Sequence, residues 1–280
     1  MSAISSHEWQ LAGTGGIKLF AQSWLPDGEP QDVVVIAHGY AEHGGRYANV
    51  VERLVPLGYA VHAIDHRGHG RSGGKRALID RMEWVLADFD GFVNEVRKRH
   101  GGMKLKLLGH SMGGSIALSY ALRHFDKLSG LILSGPAVGG LVPPLQQMIL
   151  RAISAVAPTM GTLMLPPETI SRDPAVVAAY VSDPLVTVGK VPARTAAELV
   201  AAASSFPALV PGICLPILIQ HGAQDLPVPP EGNRAVYDLI GSPDKTIRIY
   251  EGLYHEIYNE PEREAVLDDL MAWLTAHPAD

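Results

Sequence analysis

Short runs of β-branched and other apolar residues recur along the chain, and most are separated by longer stretches in which apolar positions return every three to four residues. Val33–Ala37, Ala60–Ile64, Leu105–Leu108, Leu131–Leu133, Ile217–Gln220 and Thr246–Tyr250 read as strands, bounded by Gly, Pro, Asp and Ser. Helical periodicity lies near 46–57, 83–100, 113–124, 231–240 and 261–276. Such alternation predicts a mostly parallel sheet with helices on both faces, because parallel neighbours must be joined by crossovers. Residues 7–24 alternate around Gly13-Thr-Gly-Gly16 and predict a leading antiparallel hairpin.

One stretch breaks the rhythm. Roughly eighty residues separate the strand ending near Leu133 from the strand starting at Ile217, too many for a single crossover helix. The expected organisation is therefore a core domain of 1–135 and 216–280 with a helical cap inserted over 136–215. The insertion is poor in charge: Arg151 is the one charged side chain between Leu128 and Pro167, and Glu198 the one between Thr195 and Gln224. Pro143, Pro144, Pro158, Pro166 and Pro167 break any membrane-spanning helix of about 20 residues. Leu145–Val156 remains as an amphipathic or wholly apolar helix. It either packs onto the core domain or stays exposed as an apolar lid that touches lipid.

Composition narrows the classes. With 280 residues, 47% hydrophobic and 19% charged, the chain can bury a sizeable core. Its charge of −6 excludes the clustered basic excess of a nucleic-acid-binding surface. Cys214 is the single cysteine, so no internal disulfide and no multi-thiolate zinc site can form; between Ile213 and Leu215 it is expected to be a small buried filler. The N-terminus lacks a basic start followed by an apolar run, so a cytoplasmic location is expected, with peripheral membrane contact if the cap is exposed.

Gly109-His-Ser-Met-Gly113 follows one predicted strand and opens a helix of small residues. A strand that turns so sharply into a helix forces its central residue into strained backbone, and glycines on either side remove Cβ atoms that would clash. Ser111 is then presented above the sheet edge as a nucleophile. Its hydroxyl needs a base, and the base a carboxylate that fixes its tautomer. His255 follows the strand 246–250 and Asp225 follows the strand 217–220, at the sheet edge where ligands of open α/β sheets collect. His124 lies in the nucleophile helix and His277 near the C-terminal end; His221 closes a strand and helps form the turn presenting Asp225. Asp244, the rival acid, precedes a strand and falls at the wrong end. For the oxyanion, the backbone N–H of Met112 and of Tyr40, in the loop after strand 33–37, are the expected donors.

Two patterns mislead. Gly68-His-Gly-Arg-Ser-Gly73 spells a dinucleotide fingerprint, but it opens no apolar helix and no acidic strand end follows about 20 residues on, so a turn steadied by Asp65 and Arg71 is expected instead. His38, His43, His66 and His69 lack a further ligand at helical spacing, and no metal or cofactor is expected. Asp65 ends a strand, yet an aspartate nucleophile would have to occupy the elbow where Ser111 stands.

Taken together, His38-Gly-x-x-Glu42-His43-x-x-Arg46-Tyr47, Asp65-His-Arg-Gly-His-Gly-Arg-Ser72, Gly109-His-Ser-Met-Gly113, Ser182-Asp-Pro-Leu185 and Gly252-Leu-Tyr-His255 resemble the bacterial type of the monoacylglycerol lipase family of α/β-hydrolases, whose members are often also labelled lysophospholipases. The resemblance spans about residues 15–275 and is weakest in the cap. It implies the α/β-hydrolase fold and hydrolysis of the single ester of a monoacylglycerol, with Ser111, Asp225 and His255 at the triad positions and the amides of Tyr40 and Met112 at the oxyanion positions. It also implies that Tyr180, Glu42 and Arg46 lie near the pocket that receives glycerol. Animal members usually carry a small residue at the position of Tyr40, whose backbone role a tyrosine leaves intact. The alternatives are a lysophospholipase or short-chain carboxylesterase, and a non-catalytic ligand-binding protein on the same scaffold.

Overall fold

The computed structural model describes residues 4–140 and 142–279; the first three residues of the N-terminal stretch lie outside it. An eight-stranded sheet forms the centre. Its strands are β1 (Ser5–Ala12), β2 (Lys18–Leu25), β3 (Asp32–Ala37), β4 (Tyr59–Ile64), β5 (Leu105–His110) and β6 (Leu128–Ser134), followed, after a small two-stranded pair of β7 (Gly161–Met164) and β8 (Lys190–Pro192), by β9 (Ile217–Gly222) and β10 (Lys245–Tyr250). The spatial order is β1-β2-β4-β3-β5-β6-β9-β10. β1 and β2 pair antiparallel and β2 meets β4 antiparallel, while every pairing from β4 to β10 is parallel. β3, β4, β5 and β9 are buried along their whole length, which is why they read as mostly apolar runs despite His62 in β4 and Lys106 in β5.

The described residues form eight α-helices: α1 (Ala48–Leu54), α2 (Met82–Arg99), α3 (Met112–His124), α4 (Pro144–Val156), α5 (Pro174–Ser182), α6 (Ala193–Leu209), α7 (Pro230–Leu239) and α8 (Arg263–Ala276). Helices α2, α3, α6 and α7 contribute Phe89, Phe92, Ile116, Phe206 and Val236 to the core on one face. On the other face α1 and α8 supply Val50, Leu54, Leu267, Leu270 and Trp273. From β3 the chain runs outward to β4 and then returns to β5 on the opposite side of β3. This reversal opens a crevice between the loops that leave β3 and β5, where open α/β sheets bind ligands.

The region between β6 and β9 holds α4, α5 and α6 but also the antiparallel β7–β8 pair, so it is not purely helical. Its two ends behave differently. On α6, Ala193, Thr195 and Phe206 are buried, and Thr195 Oγ1 both accepts from Ile79 N–H and donates to the Ala77 carbonyl. On α4 and β7, Leu145, Met148, Ile149, Val156 and Leu163 are at least half exposed. One correction concerns Cys214, which is exposed rather than a buried filler. After the 3-10 turn Val210–Gly212 it is Ile213 that turns inward, to 2% exposure, and alternation then sends the next side chain outward.

Candidate active site

Ser111 has φ +53° and ψ −119° at the N-terminus of α3, a conformation costly for a residue with a Cβ. The surroundings impose it. Its N–H donates to the Ser134 carbonyl (3.0 Å), and its own carbonyl accepts from Gly114 (2.9 Å) and Ala137 (2.9 Å). The close approach also needs the flanking glycines: a Cβ on Gly109 would lie 2.4 Å from the Gly113 carbonyl oxygen, and one on Gly113 would lie 1.9 Å from that of Ala37.

Asp225 is buried in the turn after β9. Its Oδ1 accepts from Val228 N–H (2.8 Å), while Oδ2 lies 2.6 Å from His255 Nδ1 and 3.0 Å from His221 Nε2. Asn233 Nδ2 donates both to the Pro136 carbonyl (2.8 Å) and to His221 Nδ1 (2.9 Å), so the His221 proton sits on Nε2, where the Val228 carbonyl accepts at 2.8 Å and the Asp225 carboxylate lies beside it at 3.0 Å. Burial alone would raise the Asp225 pKa, but His255 and the two imidazole donors outweigh it and hold the carboxyl below its usual range. Burial likewise disfavours a charged His255, yet the Asp225 charge and hydrogen bond prevail and raise its pKa above 6.5. With Nδ1 committed to Asp225, Nε2 is the nitrogen left for proton transfer. His255 and Ser111 line the same small cavity, with Gly39, Tyr40, Glu42 and Tyr180.

A pH dependence follows. If His255 serves as the base expected from the sequence it must be neutral to act, so the acid limb of kcat/KM should lie above the ordinary imidazole value of 6.5. Asp225→Asn should lower turnover by about 10⁴-fold and move the limb of the residual activity to lower pH, since the charge that favours the imidazolium is gone. Profiles of both enzymes check this; an unmoved limb would separate Asp225 from the titration.

Two backbone donors lie at the cavity: Tyr40 lines it, and Met112 directly follows Ser111, which lines it too. Among the described residues, neither the Tyr40 nor the Met112 N–H has an acceptor in the protein, although buried amides nearly always do. Beside them, Arg46 forms a bidentate pair with Glu256 (2.5 and 2.8 Å) and reaches Glu42 (3.0 Å), with its guanidinium 4.7 Å from the centre of the Tyr180 ring. Glu42 Oε1 accepts from Gly39 N–H (2.6 Å) and the Tyr47 hydroxyl (2.8 Å). Burial opposes the Glu42 charge, but Arg46 and these donors keep its pKa lowered. Ser111, His255, Tyr40, Glu42 and Tyr180 thus line one cavity, with Asp225 bonded to His255 and Arg46 to Glu42.

Sequence reasoning missed three participants. Glu256 clamps Arg46 across 210 positions of chain, and Asn233 fixes the tautomer of His221. His110 packs its ring 4.7 Å from that of His255, and burial and that neighbour push its pKa down to about 4. Only His110 had a local signal, as the second residue of the elbow motif.

The decoys have structural work. Asp65 accepts from Gly44 N–H (2.9 Å) and from the Arg71 amide (2.8 Å), so Arg71 steadies the turn through its backbone, while its side chain pairs with Glu8. His43 links Asp183, beyond α5, to the loop after β3 at 2.9 Å. The rejected residues His277 and Asp244 pair with each other at 2.9 Å, and Asp244 precedes β10, at the opposite end of the strand from His255. Among the described residues no group of three or more His, Cys, Asp or Glu could hold a metal ion.

Known proteins resemble the chain over nearly its whole length. Residues 28–262 match the family described as serine aminopeptidase, S33. The chain is 40% identical to a monoacylglycerol lipase of Mycolicibacterium smegmatis, over 99% of this chain and 100% of that one. It is 32% identical to the monoglyceride lipase of Rattus norvegicus over 95% and 89% of the two chains. Among solved structures, the monoacylglycerol lipase of Paleococcus ferrophilus superposes with a TM-score of 0.80 at 29% identity, covering 98% of this chain and 99% of that one.

Proposed function

Because the chain belongs to the monoacylglycerol lipase family of α/β-hydrolases, we propose that it hydrolyses the ester of monoacylglycerols at Ser111, giving free fatty acid and glycerol. His255 Nε2 takes the Ser111 proton as Oγ attacks the ester carbonyl, and the negative oxygen that forms is held by the Tyr40 and Met112 amides. Collapse breaks the bond to glycerol, whose oxygen receives the proton from His255. Water then attacks the acyl-enzyme, losing its proton to His255, and the same collapse returns hydrogen to Ser111 and frees the acid. Asp225, with His221 behind it, keeps the imidazole oriented throughout.

One observation carries the reading: the cavity that Ser111 and Tyr40 line also holds an imidazole already committed to a buried aspartate. On the alcohol side, Glu42, Arg46 and Tyr180 form a polar wall suited to glycerol hydroxyls. That wall has two carboxylates, Glu42 and Glu256, against one guanidinium, which favours a neutral polyol over an anionic phosphate. Rates on a monoacylglycerol, a lysophosphatidylcholine and a soluble short ester test this. The monoacylglycerol is expected to be cleaved fastest; a faster lysophospholipid would overturn the substrate class, and no turnover of any would leave a ligand-binding protein.

The cap supplies the route to lipid. No helix of the described residues is long and apolar enough to cross a membrane, but α4 and β7 expose Leu145, Met148, Ile149 and Leu163. Such a patch favours peripheral contact with a lipid surface through the cap. Replacing Leu145 and Ile149 with glutamate should reduce cosedimentation with phosphatidylcholine vesicles at least about five-fold, at about 0.8 kcal/mol per methylene withdrawn from lipid, and leave hydrolysis of a soluble short ester intact. Undiminished cosedimentation would exclude this face.

A further inference from the structure

A backbone donor in a loop can fail in a specific way: if the peptide rotates, its carbonyl replaces its N–H and faces the developing negative charge. The Gly39–Tyr40 peptide is exposed to this risk, because glycine precedes the bond and the Tyr40 N–H has no acceptor among the described residues to hold it. One contact grips this peptide from behind, and a second fixes the His38–Gly39 peptide before it. His38 Nδ1 lies 2.7 Å from the Gly39 carbonyl oxygen, and Gly39 N–H donates to Glu42 Oε1 at 2.6 Å. On the far side of the ring, His38 Nε2 accepts from the His66 amide at 2.9 Å. An acceptor at Nε2 means that the proton is on Nδ1, so the ring donates to Gly39. His38 is wholly buried, with its ring centre 4.4 Å from that of His66, so it has neither room to turn nor water to bond instead. A trans peptide carries its C=O and N–H on opposite sides. Anchoring the carbonyl to His38 therefore turns the Tyr40 N–H the other way, and both Gly39 and Tyr40 border the cavity.

We propose that His38 is a positioning residue that latches the Gly39–Tyr40 peptide in its donor orientation, with the His66 amide setting the tautomer that makes the latch. The proposal rests on the serine hydrolase reading of the site. It gives this buried histidine, which touches neither Asp225 nor His255, a role in turnover through the oxyanion.

The test compares His38→Phe and His38→Leu, which fill space without an N–H, with His38→Asn, whose amide nitrogen stands close to the place of Nδ1. Turnover of a monoacylglycerol is measured alongside inhibition by an alkyl trifluoromethyl ketone, which forms an oxyanion on the serine, and by a fatty alcohol, which does not. Removing one oxyanion donor typically costs 10²–10³ in kcat, and a peptide released to rotate should cost about ten- to hundred-fold. The apolar variants are expected to lose that much in kcat and in ketone affinity, with KM and fatty-alcohol inhibition within about three-fold of wild type; His38→Asn should recover most of both. Wild-type kcat in the apolar variants, a fall in kcat with ketone affinity retained, or parallel loss of fatty-alcohol binding would overturn the latch. If neither apolar variant folds, His38→Asn decides alone: ketone affinity within about five-fold of wild type supports the proposal and a larger loss overturns it. Wild-type enzyme that neither binds the ketone nor is labelled at Ser111 by a fluorophosphonate would instead sink the hydrolase reading, and the latch with it.

Discussion

Ser111→Ala is expected to reduce monoacylglycerol turnover by about 10⁴-fold or more while the protein still melts within a few degrees of wild type. The catalytic loss is large because the hydroxyl forms the covalent bond on which both half-reactions depend. The stability change is small because no hydrogen bond holds the Ser111 hydroxyl among the described residues, and the strained backbone at 111 is imposed by Ser134, Gly114 and Ala137, which an alanine leaves in place. Steady-state rates and a thermal melt on the same preparation check both halves. Residual activity above about 1% of wild type would move the nucleophile elsewhere.

Gly113→Ala should show the reverse balance, with the fold itself at stake. A Cβ at 113 would stand 1.9 Å from the Ala37 carbonyl oxygen and 2.5 Å from that of His38, both backbone atoms of the central strand and the loop it feeds. Neither can swing aside like a side chain, so α3 would have to move off β3 by more than an ångström. Overpacking of well-fitted cores costs about 1–3 kcal/mol and more where backbone is hit; against a total of about 5–15 kcal/mol, a loss of about 3 kcal/mol or greater is expected. A drop in the denaturant midpoint with an unchanged slope would measure it. A variant as stable as wild type would mean that the elbow is looser than the geometry requires.

How far the molecule could be read in advance depends on the range of each signal. β3, β5 and β9 were legible because burial on both faces leaves mostly apolar runs; Ser111 and Asp225 lie just beyond two of them, and His255 beyond the half-buried, alternating β10. β7 and β8 were not: they are three or four residues long, β7 is exposed, and they pair across more than twenty intervening positions, so no local period marks them. Cys214 was misjudged because apolar neighbours along the chain do not say which side chain a turn sends inward. The clamp of Glu256 on Arg46 and the tie from Asn233 to His221 are products of tertiary proximity, visible only once the loops after β3, β9 and β10 converge.

The pairing of β6 with β9 has a consequence for how such enzymes diversify. Leu131 lies beside Ile217 and Ser134 beside Gln220, so the strand before the insertion and the strand after it are stitched together with no help from what lies between. The proposed nucleophile, Ser111, is anchored on one side of that seam, and the proposed acid and base, Asp225 and His255, on the other. Whatever the chain does during its excursion, the reacting groups ride on a stationary frame. A foreign canopy could be grafted there to retune which acyl chains enter, provided that the graft keeps a helix like α6 to refill the space of Phe206 and Thr195.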